Sequence, residues 1–140
     1  MEVTLPWVQI IVMTILSWIG GALWFGPLFW KMWMKIHHAD KTLSKGEMEE
    51  MKKGMAVLMW VELVATFVMM MTFAFLVKMM PWFSGMHIGF LIWVWFILPI
   101  TVSNVLWWWD KKKMMLPKIL ISSSYRLLLV LAAGYLFSGW

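Results

Sequence analysis

Apolar positions gather in four long runs, Leu5–Trp30, Met55–Val77, Gly85–Trp109 and Pro117–Trp140, separated by two lysine-rich stretches and one short turn. Each run reaches or exceeds the ~20 residues a helix needs to cross ~30 Å of hydrocarbon. Little chain remains for a soluble core. The pattern predicts an all-α membrane protein forming a single domain over 1–140, with four transmembrane helices at about 5–30, 55–77, 85–109 and 117–140. A short cytoplasmic amphipathic segment is expected between helices 1 and 2.

In the first run, Pro6 suits a first helical turn and Trp7 an interface. Gln9, Met13, Ser17, Gly20, Gly21 and Trp24 recur at three- and four-residue steps, so small and polar groups share one face that is expected to point inward. Gly20 and Gly21 would admit a neighbouring backbone, and Gly26-Pro27 is expected to interrupt the helix near its cytoplasmic end. Ser44 and Glu47 resemble a capping box, and Met48, Met51 and Met55 form a stripe beneath Glu49, Glu50, Lys52 and Lys53. This segment either lies on the membrane surface or leads straight into helix 2. Pro81 and Gly85 bracket a turn short enough to make helices 2 and 3 antiparallel neighbours. Gly85 and Gly89 have the spacing of a close helix approach, as does Gly134 with Ser138, and Pro99 predicts a kink in helix 3.

Charge adds orientation. The net charge of +5 is confined: Lys31, Lys35, Lys41, Lys45, Lys52 and Lys53 follow the first run, and Lys111, Lys112, Lys113 and Lys118 follow the third. A nucleic-acid partner does not explain that distribution, whereas the positive-inside rule does. Loops 31–54 and 110–117 are therefore expected to be cytoplasmic and both termini outside, in the inner (plasma) membrane with the lipid bilayer as surroundings. The N-terminus lacks a basic segment and a small-residue cleavage site, which reads as an uncleaved first helix.

Two charges break the apolar runs, Glu62 in the second and Arg126 in the fourth. At ~1.5 Å rise per residue, and with both helices entering from the same side, Glu62 lies ~10 Å deep and Arg126 ~13 Å deep. They are expected to share a level and to pair, with Thr101, Asn104, Ser122, Ser123 and Tyr125 completing a polar layer. That layer either fixes helix register, binds a small anion, proton or polar ligand, or reflects two side chains snorkelling separately to the inner interface.

Other chemistries find little support. The chain has no cysteine, and His37, His38 and His87 fall at or outside the expected interfaces, away from any membrane haem. Sixteen methionines raise Cu(I) binding, but Met69-Met70-Met71 points around its helix and no Cys or His stands at matching depth. No metal or cofactor is expected. Neither a nucleophile–base pair nor a phosphate loop is present, so no enzymatic activity is expected.

The segment Gly20-Gly-Ala-Leu-Trp-Phe-Gly-Pro-Leu-Phe-Trp-Lys-Met-Trp-Met34, the Gly89-Phe-Leu stretch leading to Pro99 and Asn104, and Tyr125-Arg-Leu through Gly134 to Gly139-Trp140 together resemble the bacterial "domain of unknown function 1761" family. The resemblance spans almost the whole chain. It implies a four-helix integral membrane protein of about this length and supplies no activity. The reading that fits is an oligomeric membrane component or an accessory subunit of a larger membrane complex, with Gly20, Gly21, Gly85, Gly89 and Gly134 as helix contacts. The alternative is a small transporter or channel lined by Glu62 and Arg126.

Overall fold

The computed structural model describes residues 4–29, 44–107 and 112–139, all regular elements among them being helical. Helix α1 (Trp7–Leu23) starts after Pro6 and passes into a π-helical turn, Trp24–Leu28, that contains Pro27. Proline has no N–H to donate, and its ring clashes with the carbonyl four residues back; a widened turn relieves both. Phe29 N–H accordingly reaches five residues back to the Trp24 carbonyl, at 3.2 Å.

Helix α2 (Lys45–Met79) is continuous. Its start is the capping box read from sequence: Glu47 N–H donates to Ser44 Oγ at 3.3 Å, and Ser44 N–H donates to Glu47 Oε2 at 2.8 Å. These bonds, the Ser44 backbone N–H first and its hydroxyl second, hold the Glu47 carboxyl below its usual pKa. The polar segment is thus the opening of α2 rather than a separate surface helix. The Met48, Met51 and Met55 side chains lie outside the described residues, as do Trp30, Trp33, His37, His38, Trp108, Trp109 and the lysines at 31, 35, 41 and 111.

After the turn at Pro81, Ser84 caps α3 (Gly85–Ile92) by accepting from His87 N–H at 3.3 Å. A second π-helical turn, Trp93–Ile97, separates α3 from α4 (Leu98–Trp107). Just before Pro99, where a kink is expected, the helix widens, with Leu98 N–H donating five residues back to the Trp93 carbonyl. Helix α5 (Lys112–Ser138) carries Pro117 inside it. Three stretches are long and apolar enough to cross a membrane, Ala56–Met79, Gly85–Trp107 and Lys113–Ser138; α1 is shorter, and its π-turn carries the apolar path on to Leu28.

Helix α1 packs mainly on α2, and α3 and α4 pack on α5, while α2 also touches α5. Helix α3 meets α5 more extensively than its sequence neighbour α2. The core is Ile10, Met13, Met70, Phe73, Ala74, Val77, Ile88, Val130, Ala133 and Phe137, and it fills the end of the bundle where α1 and α3 start and α2 and α5 finish. At the opposite end Val57, Leu58, Trp60 and Val61 of α2 are exposed. The bundle is closed at one end, and at the other α2 leaves the packing.

Lipid is as apolar as leucine, so close packing rather than burial holds the closed end. The seam between α3 and α5 shows how. A Cβ on Gly85 or Gly134 would collide with the backbone carbonyl of the other, and one on Gly89 would stand 2.6 Å from the Val130 carbonyl oxygen. Only hydrogen fits at these three positions. Ser138 locks the seam, its Oγ accepting from Gly85 N–H at 2.6 Å and donating to the Gly134 carbonyl at 2.8 Å.

Candidate functional site

The polar chemistry of the spans centres on α5 between Ile121 and Arg126. Trp24, first residue of one π-turn, donates its indole N–H to the Ile121 carbonyl at 3.0 Å, and Trp93, first residue of the other, donates to the Ser123 carbonyl at 2.8 Å. The Tyr125 hydroxyl runs the opposite way and donates to the Ser17 carbonyl of α1. Tyr125 fits there because Gly20 and Gly21 leave room: a Cβ on Gly21 would lie 3.2 Å from the Tyr125 oxygen and one on Gly20 3.6 Å from its ring. Trp24 and Tyr125 also stack at a tilt, with ring centroids 5.9 Å apart. Three aromatic donors on three helices therefore fasten α5 to α1 and to the α3–α4 junction.

The remaining polar residues are mostly satisfied within their own helices. Thr101 Oγ1 donates to the Ile97 carbonyl at 2.7 Å, Thr14 to Ile10 at 2.8 Å and Ser17 to Met13 at 2.5 Å. Ser123 is buried, Ser122 half-buried and Asn104 exposed. Gln9 carries a buried Oε1 with no hydrogen-bond partner among the described residues.

Glu62 and Arg126 are both exposed, and no ion pair joins them. The expected pairing is corrected by geometry. Helix α2 buries Thr66, Met70, Phe73, Ala74 and Val77, but its packing ends at Thr66, and Glu62 lies one turn beyond, on the splayed part. Arg126 likewise continues the buried Val130, Ala133 and Phe137 stripe of α5, one turn before Val130 and beside the part of α2 that has left the packing. Neither Glu62 nor Arg126 is hydrogen-bonded to Thr101, Asn104, Ser122 or Ser123 among the described residues, and no group of acidic or histidine side chains among them can hold a metal ion.

Sequence reading passed over Trp93, Ile121 and the Ser17 carbonyl. A signal for one part existed, since Trp24 closes the inward face of α1 between Gly20-Gly21 and Pro27, where a large donor stands beside small residues and a proline-widened turn.

Apolar helices of spanning length, packed through glycines and tied by aromatic hydrogen bonds, mark the chain as a helical membrane protein. The family model described as "Protein of unknown function (DUF1761)" matches residues 8–138, and the chain belongs to that family. No curated protein and no solved structure matches it.

Proposed function

We propose that this is a small integral membrane protein that works as an oligomer or as an accessory subunit of a larger membrane complex. The observation that supports the reading is a pair of exposed charges within the spans, Glu62 and Arg126, that form no ion pair with each other. A charge facing hydrocarbon costs ~2.5–3.5 kcal/mol on insertion scales, and such groups normally face protein or water. Arg126 relieves part of its cost by snorkelling, but a glutamate is shorter and gains less. Counter-groups supplied by another polypeptide relieve both. The glycines at 85, 89 and 134 are spent inside the chain, so the support for assembly comes from the charges instead.

In this reading both termini face outward in the plasma membrane, with loops 31–54 and 110–117 cytoplasmic, as the lysine distribution favours. The role is one of assembly rather than catalysis. A transporter lined by Glu62 and Arg126 has less support, because both side chains are exposed where α2 leaves the packing and no enclosed path joins them among the described residues. Native mass spectrometry of the protein released from lipid nanodiscs tests the proposal: multimers or a constant copurifying protein are expected, and a bare monomer at every protein-to-lipid ratio overturns it.

A further inference from the structure

We propose that the inward stripes of α2 and α5, where the two helices part, receive a transmembrane helix of another polypeptide. That helix carries a lysine or arginine opposite Glu62 and, about one turn further from the lysine-rich end, an aspartate or glutamate opposite Arg126. The inference rests on the accessory-subunit form of the reading above and adds the place of the contact and its order of charges.

Periodicity puts both charges on the side that each helix turns to the bundle. On α2, Glu62 stands one turn before the buried Thr66 and two before Met70; on α5, Arg126 stands one turn before the buried Val130 and two before Ala133. Ahead of Thr66 the stripe of α2 is bare: every residue from Ala56 to Glu62 is exposed, including Met59 on the inward side. Lipid tails finish an apolar face as well as leucine does, but they supply nothing to a face that carries charge. These stripes continue a packed core and end in two opposite charges, so what completes them is a packed element with charges of its own.

Contacts in the closed end set the levels. Phe73 meets Phe137 with ring centroids 5.8 Å apart, and its Cζ lies 3.3 Å from where a Gly89 Cβ would stand, beside Val130. Phe73 is therefore level with the middle of the Val130–Phe137 stretch. Helices α2 and α5 run in the same direction, both finishing at the closed end. Glu62 is eleven residues before Phe73 and Arg126 seven or eight before that level, so Glu62 sits three or four residues nearer the lysine-rich end, ~5 Å at ~1.5 Å rise per residue. A helix with a cation and an acid at positions i and i+4 presents both on one face at that spacing. Its two charges also pair with each other before it binds, as ionisable groups within membranes do. A second copy in the same orientation offers the reverse order, with its acid at the level of Glu62 and its cation at that of Arg126, so like charges would stand opposite.

Designed single-span helices of leucine and alanine supply the probe, each oriented by an arginine flank on the side of the chain's own lysines. One carries Lys and, four residues further from that flank, Glu; a second has the two exchanged; a third has neither. Each is coexpressed with the full-length protein, and the helix retained per chain is counted by native mass spectrometry from lipid nanodiscs. The Lys-then-Glu helix is expected to be retained on the order of tenfold more than either of the others. Glu62→Gln and Arg126→Gln are each expected to lower that retention toward the uncharged level. The double variant Glu62→Lys with Arg126→Glu is expected to prefer the exchanged helix instead. Equal retention of the three helices, or a preference that survives Glu62→Gln and Arg126→Gln, overturns the proposal whether or not the double variant folds. Multimers of the chain that ignore all three helices remove this inference and leave the oligomeric reading intact, whereas a bare monomer that ignores them removes both. Self-association lost on Glu62→Gln without helix preference overturns it in favour of a second copy, and a bound phospholipid lost on Arg126→Gln does so in favour of a lipid headgroup.

Discussion

Replacing Gly89 by alanine tests the tightest part of the bundle. The added Cβ would sit 2.6 Å from the Val130 carbonyl oxygen, 3.1 Å from its carbonyl carbon and 3.3 Å from Phe73 Cζ. Normal carbon–oxygen contact is ~3.3–3.6 Å, so α3 and α5 must separate by roughly 0.7–1 Å or bend. The obstructing group is helix backbone, which cannot rotate away as a side-chain tip would. Overpacking of this kind costs ~1–3 kcal/mol, while removing a glycine from a helix interior returns ~1 kcal/mol. A net loss of about 1–2 kcal/mol is expected, and Gly46→Ala, where nothing lies within 4 Å, provides the control that gains the propensity term alone. Reversible unfolding by sodium dodecyl sulfate in mixed micelles, followed by far-UV circular dichroism, reads both. A Gly89→Ala protein as stable as the parent, or a Gly46→Ala protein destabilised as much, would refute the close seam.

Tyr125→Phe removes the bond to the Ser17 carbonyl and is expected to cost ~0.6–1.7 kcal/mol, the range for hydrogen bonds between membrane helices; no loss in the same titration contradicts it. Trp93→Phe takes the indole donor from the Ser123 carbonyl and is expected to lower stability similarly, with parent-like unfolding as the contrary result. Ser138→Ala strips Gly85 N–H of its acceptor and should speed hydrogen exchange at that amide; unchanged exchange argues against the lock. The Glu47 carboxyl is held below its ordinary value near 4.5 by Ser44. Its contribution to the start of α2 is therefore present above that ordinary value and lost as pH falls through the lower folded one. Ser44→Ala removes the hydroxyl bond but keeps the backbone N–H, so the Glu47 titration, read by carbon NMR in nanodiscs, is expected to return only part of the way toward the ordinary value, and an unmoved titration would show that the hydroxyl is not a cause.

Three of the four expected spans were legible because length and apolarity suffice to mark them, as Ala56–Met79, Gly85–Trp107 and Lys113–Ser138 show, while the first is a shorter helix, Trp7–Leu23. Local devices could be read too: the Ser44–Glu47 box and the breaks near Pro27 and Pro99 depend on chemistry within a turn or two. Partners across helices were not legible. Gly85 and Gly89 announced a close approach, but nothing in their spacing says that α5 rather than α2 fills it. The charges show the same limit from another side. Rise per residue sets the level of Glu62 and Arg126 and periodicity the face, while whether they are enclosed depends on where α2 stops packing. Tryptophan misleads in membrane sequences because the same residue marks interfaces and donates inside the bundle. Trp24 and Trp93 do the latter.

A single spin label per chain gives the most direct test of a surface left for another copy. The protein has no cysteine, so Ala65→Cys introduces one label, on an exposed position one turn from Glu62. Double electron–electron resonance in liposomes is expected to show a dipolar modulation that fades when labelled chains are diluted with unlabelled ones. Background decay alone, at every protein-to-lipid ratio, would contradict it.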